Sequence, residues 1–139
     1  LELLRTQPQL KDKLWENARK LQAGLKERGF YIGKTDSVVT PIYMKGDVPE
    51  ATAMVMDIRE NYHIFCSIVV YPVIPKGHII YRLIPTAVHT DEDIEKTLEA
   101  FSATKKKLDA CEYKSEAIPD MAEATCKRFD YMTEKLKNK

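Results

Sequence analysis

Two apolar runs stand close together near the middle of the sequence, and the short link between them constrains the fold more than any other feature. Ile64 to Tyr71 reads Ile-Phe-Cys-Ser-Ile-Val-Val-Tyr, and Ile79 to Ile84 reads Ile-Ile-Tyr-Arg-Leu-Ile. Both are rich in the β-branched and aromatic residues that suit a pleated surface. The link carries Pro72, Pro75 and Gly77. It is shorter than the dozen or so residues that a parallel crossover needs, so the runs are expected to be antiparallel neighbours. The first run is almost continuously apolar, which predicts a strand covered on both faces. The second is ended by Pro85, which has no N–H to offer a ladder.

Around this pair the period changes from two to three and a half. Leu14, Ala18, Leu21 and Leu25 make one apolar stripe, with Trp15 beside it, and predict a helix over Gln9–Arg28 stopped by Gly29. Val38 to Met44 is a strand candidate that Pro41 confines to an edge or a bulge. Asp47 is placed to cap a helix with Glu50 and Pro49 in its first turn, carrying Ala51, Met54, Val55, Ile58 and Tyr62 on one side. Thr90 and the acidic run after it open another helix, with Ile94, Leu98, Phe101 and Leu108 as its stripe. Lys105, Lys106 and Lys107 fall near its end and read as a solvated terminus. A last helix is expected from Pro119 to about Leu136, with Ala122, Thr125, Phe129, Met132 and Leu136 on one side. The order predicts an α+β fold: a small, mainly antiparallel sheet with helices packed on it. The expected division is a helix over 1–29, an α+β core over 30–113 and a helical tail over 114–139.

A chain of 139 residues suits one such core. Lys and Arg total 22 against 21 Asp and Glu, a net charge of +1 that argues against a strongly basic nucleic-acid binder. No apolar run approaches the roughly 20 residues needed to cross a bilayer. Cys66, Cys111 and Cys126 show no CxxC spacing, so a disulfide framework is not expected and a reducing cytoplasm is the simplest setting. Cys66 reads as a small buried hydrophobe. His63, His78 and His89 are far apart, without the spacing of a local metal site, and no metal is expected. The chain begins at Leu1 rather than Met, which reads as a piece of something longer.

Arg82 is the residue that asks for a functional explanation. Period-two geometry puts it on the face of Ile80 and Ile84. A guanidinium inside a sheet must be paired, or it must reach water. One reading is a structural ion pair or an edge arginine in solvent. The other is an anion receptor that stays open until a ligand carboxylate docks on its fork. The link Tyr71-Pro72-Val73-Ile74-Pro75-Lys76-Gly77 is stiff at two prolines and free to turn at Gly77, and such a loop can bring side chains beside Arg82.

Taken in order, Tyr71-Pro72-Val73-Ile74-Pro75-Lys76-Gly77, then Arg82, then Thr86-Ala87-Val88-His89-Thr90, resemble the C-terminal domain of the α-oxoamine synthases. These are pyridoxal-phosphate (PLP) enzymes of the aspartate-aminotransferase fold type. They include glycine C-acetyltransferase (2-amino-3-ketobutyrate CoA ligase), serine palmitoyltransferase and 8-amino-7-oxononanoate synthase. Leu14-Trp15-Glu16-Asn17-Ala18, with Leu25 through Phe30, is similar to the helix that links the family's large and small domains. The resemblance runs from about Leu14 to Phe101. It implies a decarboxylative condensation of a small amino acid with an acyl-CoA. It also implies that Arg82 binds the amino acid's carboxylate, with Tyr71 and Val73 approaching the substrate. Some members have threonine where this chain has Val73.

The family's cofactor lysine, its aspartate partner for the pyridine nitrogen and its ring-stacking histidine belong to the large domain. No His-Thr-x-Ser-Lys motif occurs here. The expectation is therefore a domain with no catalytic or cofactor-binding residue of its own. It would be inactive when isolated and would bind no PLP, and it would serve a PLP-dependent, homodimeric, cytoplasmic acyltransferase. The link looks most like the glycine C-acetyltransferase version, with serine palmitoyltransferase as the alternative. A different class of reading is a stand-alone, non-catalytic α+β binding module. As a detached domain, the chain is expected to expose apolar surface near Arg82 and its first helix.

Overall fold

The structure is a computed structural model and describes residues 5–113. The helix expected from Pro119 lies outside the described residues. Among those described, the elements run α1 (Pro8–Glu27), β1 (Thr40–Lys45), α2 (Val48–Tyr62), β2 (Ser67–Val69), β3 (His78–Leu83) and α3 (Asp91–Asp109).

The ends of the helices are set by local chemistry. Pro8 occupies the first turn of α1, where its missing N–H costs nothing. At the other end Gly29 takes φ +77°. Phe30 N–H then reaches Leu25 C=O and Gly29 N–H reaches Lys26 C=O, both at 3.0 Å. This is the Schellman closure, which needs a left-handed residue at that position. Asp47 accepts from Glu50 N–H at 3.1 Å while the Glu50 carboxylate accepts from Asp47 N–H at 2.9 Å. Thr90 and Asp93 make the same reciprocal pair at the start of α3.

The sheet has three strands in the order β1–β3–β2, and β3 is antiparallel to both neighbours. Pro41 sits on β1, an edge strand, as its lack of a donor requires. Along β3, Ile79, Tyr81 and Leu83 are buried while His78 and Arg82 are exposed. Thr40, Ile42 and Met44 of β1 are buried on the same side. All three helices cover that side. Phe101 of α3 meets Tyr81 edge to face at 5.9 Å and Phe30 at 6.4 Å. Leu21 and Leu25 of α1, Met54 and Ile58 of α2, and Leu98 of α3 complete the core. The α+β expectation holds as a two-layer arrangement, with one sheet face left open among the described residues.

One strand expectation fails. Only Ser67–Val69 of the long apolar run is strand, and all three residues are half-buried. Phe65 is 82% exposed. The described helices lie on one side of the sheet, so no described element covers the other face of β2.

Asn17 is fully buried on α1. Its side-chain amide donates to Thr86 C=O at 2.9 Å and His89 C=O at 2.8 Å. His89 Nδ1 accepts from Thr86 N–H at 3.1 Å. The Thr86–Thr90 segment is thus a clamped turn that leads from β3 into α3.

Candidate anion-binding site

Arg82 belongs to the central strand but stands on the open face, and this resolves the burial problem that the sequence raises. It faces Ser67 on β2 and Pro41 on β1. Its Nε donates to Ser67 Oγ at 3.1 Å. Among the described residues no carboxylate lies within ion-pair distance of it, and its two terminal nitrogens donate to nothing. Among the described residues, then, no structural ion pair holds Arg82. The strands β1, β2 and β3 contain no Asp or Glu, and their other charged residue is Lys45. The open face thus offers a fixed guanidinium, four unused N–H donors and no competing anion nearby on the sheet.

The residues expected beside Arg82 are placed differently. Val73 N–H donates to Val70 C=O at 3.0 Å, closing a turn across the cis Tyr71–Pro72 bond. Tyr71 is 53% exposed and Val73 78% exposed. The pairing Ser67–Arg82 and Val69–Ile80 puts this turn at the His78 end of β3. Each step along a strand is about 3.3 Å, so Arg82 lies well away from the turn along the strand direction. Lys76 sits over the Tyr71 ring at 5.0 Å instead of reaching towards the arginine. Among the described residues, neither Tyr71 nor Val73 has a hydrogen bond or ring contact with Arg82.

Ser67 is the site residue that the sequence reading passed over. It sits inside an apolar run and looks like filler. The available signal is register: a polar residue in the first run falls opposite the single arginine of the second. Cys66 beside it is buried, and burial pushes its thiol up to about 11, so it is no nucleophile at neutral pH. Among the described residues no His, Cys, Asp or Glu cluster could hold a metal ion. No described helix is long and apolar enough to cross a membrane.

The described residues do not fit PLP. A Schiff-base lysine needs a desolvated pocket. None of the described lysines is buried. Lys13, Lys20, Lys96, Lys105 and Lys107 are in ion pairs at the surface. Beside the strand end lies a groove of about 750 Å³ that joins apolar Leu83, Ile84 and Ile94 to polar His89, Asp93 and Lys96. Val88, near its rim in sequence, is 82% exposed.

No family model matches the chain. Individual proteins do. A cysteate-C-fatty acyltransferase of Capnocytophaga ochracea is 59% identical over 115 residues, covering 83% of this chain and 27% of that protein. A 2-amino-3-ketobutyrate coenzyme A ligase of Escherichia coli K12 is 32% identical over 108 residues, covering 78% of this chain and 27% of that protein. A solved structure of SPT with PLP matches at TM-score 0.70 and 27% identity, covering 78% of this chain and 28% of that one. The chain therefore spans about a quarter of the length of the relatives it matches. These matches show that the chain is a partial member of the α-oxoamine synthase family.

Proposed function

We propose that this chain supplies the substrate-carboxylate receptor of a PLP-dependent acyltransferase, with Arg82 as that receptor. The observation that carries the reading is the state of Arg82: fixed at Nε, exposed, and without an anionic partner among the described residues. A carboxylate docking on the two terminal nitrogens makes parallel charge-assisted bonds. That pairing fixes the plane of the carboxylate and so limits rotation of the adjoining carbon, which is the orientation a condensation at that carbon needs. The PLP is held by the remainder of the whole enzyme. The groove beside Leu83 and Ile84 faces that remainder, and residues 1–29 lead into it. Tyr71 and Val73 meet the substrate from the hairpin turn once the whole enzyme closes around them. The whole enzyme is a cytoplasmic homodimer.

The link motif favours glycine and acetyl-CoA, with serine and palmitoyl-CoA next. The comparison favours another pair. Identity is 59% to a cysteate-C-fatty acyltransferase and 32% to a 2-amino-3-ketobutyrate coenzyme A ligase. We therefore place cysteate and a fatty acyl donor first. A panel on the whole enzyme tests this choice, pairing L-cysteate, L-serine and glycine with acetyl-CoA and palmitoyl-CoA. The highest kcat/KM is expected for L-cysteate with the long donor. Preference for glycine with acetyl-CoA would return the choice to the ligase-like reading.

A further inference from the structure

We infer that Ser67 is a positioning residue for Arg82 and selects the edge of the guanidinium that receives the carboxylate. The inference rests on the proposed role of Arg82 and deepens it.

A guanidinium can hold a carboxylate in two bidentate ways. One is end-on, through its two terminal nitrogens. The other is side-on, through Nε and one terminal nitrogen. The two modes present the ligand at different angles to the arginine stem. In this fold Ser67 and Arg82 are directly paired across β2 and β3 on the open face of the sheet. Side chains so paired have Cβ atoms about 5 Å apart, within reach of a hydroxyl-to-guanidinium bond. Ser67 Oγ takes the Nε donor at 3.1 Å. Side-on docking then has to displace the serine, whereas the end-on edge stays free.

The other neighbours cannot do this work. Pro41, on the opposite side of Arg82, has no side-chain acceptor. Ile80 and Ile84, which flank Arg82 on the same face, are apolar. Ser67 is thus the only side chain among the described residues that fixes the rotation of the guanidinium. Removing its hydroxyl leaves the charge in place but frees Nε, so the carboxylate is held in two orientations, one of them unproductive.

The test is a double-mutant cycle on the whole enzyme with L-cysteate as the probe. It uses Ser67→Ala, Ser67→Thr, Arg82→Ala and the double variant Ser67→Ala/Arg82→Ala. The readouts are kcat, KM for L-cysteate, KM for palmitoyl-CoA and the thermal midpoint. Ser67→Ala is expected to lower kcat/KM for L-cysteate about 3- to 10-fold, the worth of one hydrogen bond. The palmitoyl-CoA KM and the thermal midpoint should hold. Ser67→Thr, which keeps the hydroxyl, should restore the value. In the Arg82→Ala background, Ser67→Ala should have no further effect. If Arg82→Ala impairs L-cysteate use and Ser67→Ala does not, the role of Ser67 is wrong and that of Arg82 stands. An equal effect of Ser67→Ala with and without Arg82 also overturns the inference, because the serine would then act independently. No effect from Arg82→Ala overturns the reading on which both rest.

Discussion

A charged residue on a central strand must be paired or reach water, and Arg82 meets that condition by standing exposed on the open face. Strand periodicity alone places it with Ile80 and Ile84, so its face was legible in the sequence. Which face would be open was not, because that depends on where the helices pack. Ser67 was not legible either: its meaning comes from cross-strand register, which the apolar run around it conceals. Geometry at this scale makes Arg82 more than a charge. Arg82→Lys keeps a cation but loses the planar fork and the Nε bond to Ser67. In the whole enzyme, it is expected to reverse no more than a small part of the rise in amino-acid KM expected for Arg82→Ala. A full recovery would mean that charge alone suffices. Cys66 gives a second residue-scale expectation. Its buried thiol, raised to about 11, should resist alkylation at pH 7 while exposed Cys111 reacts. Mass spectrometry of peptides after iodoacetamide treatment reads this directly.

The elements that were read correctly from the sequence are those with local signals. Asp47 with Glu50 and Thr90 with Asp93 each carry a complete capping box in four residues, and both boxes form. Gly29 ends α1 because its left-handed conformation is cheap for glycine alone. The extent of β2 is not legible in its own residues, because its burial is decided by partners elsewhere. The apolar pattern asks for cover on two faces, and the described residues provide one. Lys105–Lys107 lie in the last turns of α3 with none of them buried, and Lys107 also reaches across to Asp57 on α2 at 2.7 Å. Thr90→Ala should lower stability by about 1 kcal/mol through loss of the cap. Gly29→Ala should cost about 1 kcal/mol or more through its positive φ. Denaturant unfolding of the chain measures both, and a stabilising Gly29→Ala would contradict the helix closure described for α1.

At the scale of the whole molecule, α2 and α3 are tied at one end by a small polar cluster. Burial pushes the Asp57 carboxyl up, but hydrogen bonds from Lys107, Tyr113 and Asn61 outweigh it and hold the carboxyl below its usual value. A carboxylate lowered in the folded state adds stability above its unfolded value near pH 4, and that stability is lost as pH falls through the folded value. The thermal midpoint should therefore drop below about pH 4, and Asp57→Asn should flatten part of that drop. A profile unchanged by Asp57→Asn would remove the cluster from the account.

The chain spans about a quarter of its relatives, and the proposal for Arg82 concerns the whole enzyme. The most direct test of the central claim is the KM for the amino-acid substrate in the whole enzyme carrying Arg82→Ala. Loss of a charge-assisted pair in a covered site is worth about 2–4 kcal/mol. At 1.36 kcal/mol per tenfold, that predicts a KM raised roughly 30- to 1000-fold, with the acyl-CoA KM little changed. An amino-acid KM that stays within about twofold of the parent enzyme, well under 1 kcal/mol, would contradict the assignment of Arg82 as the carboxylate receptor.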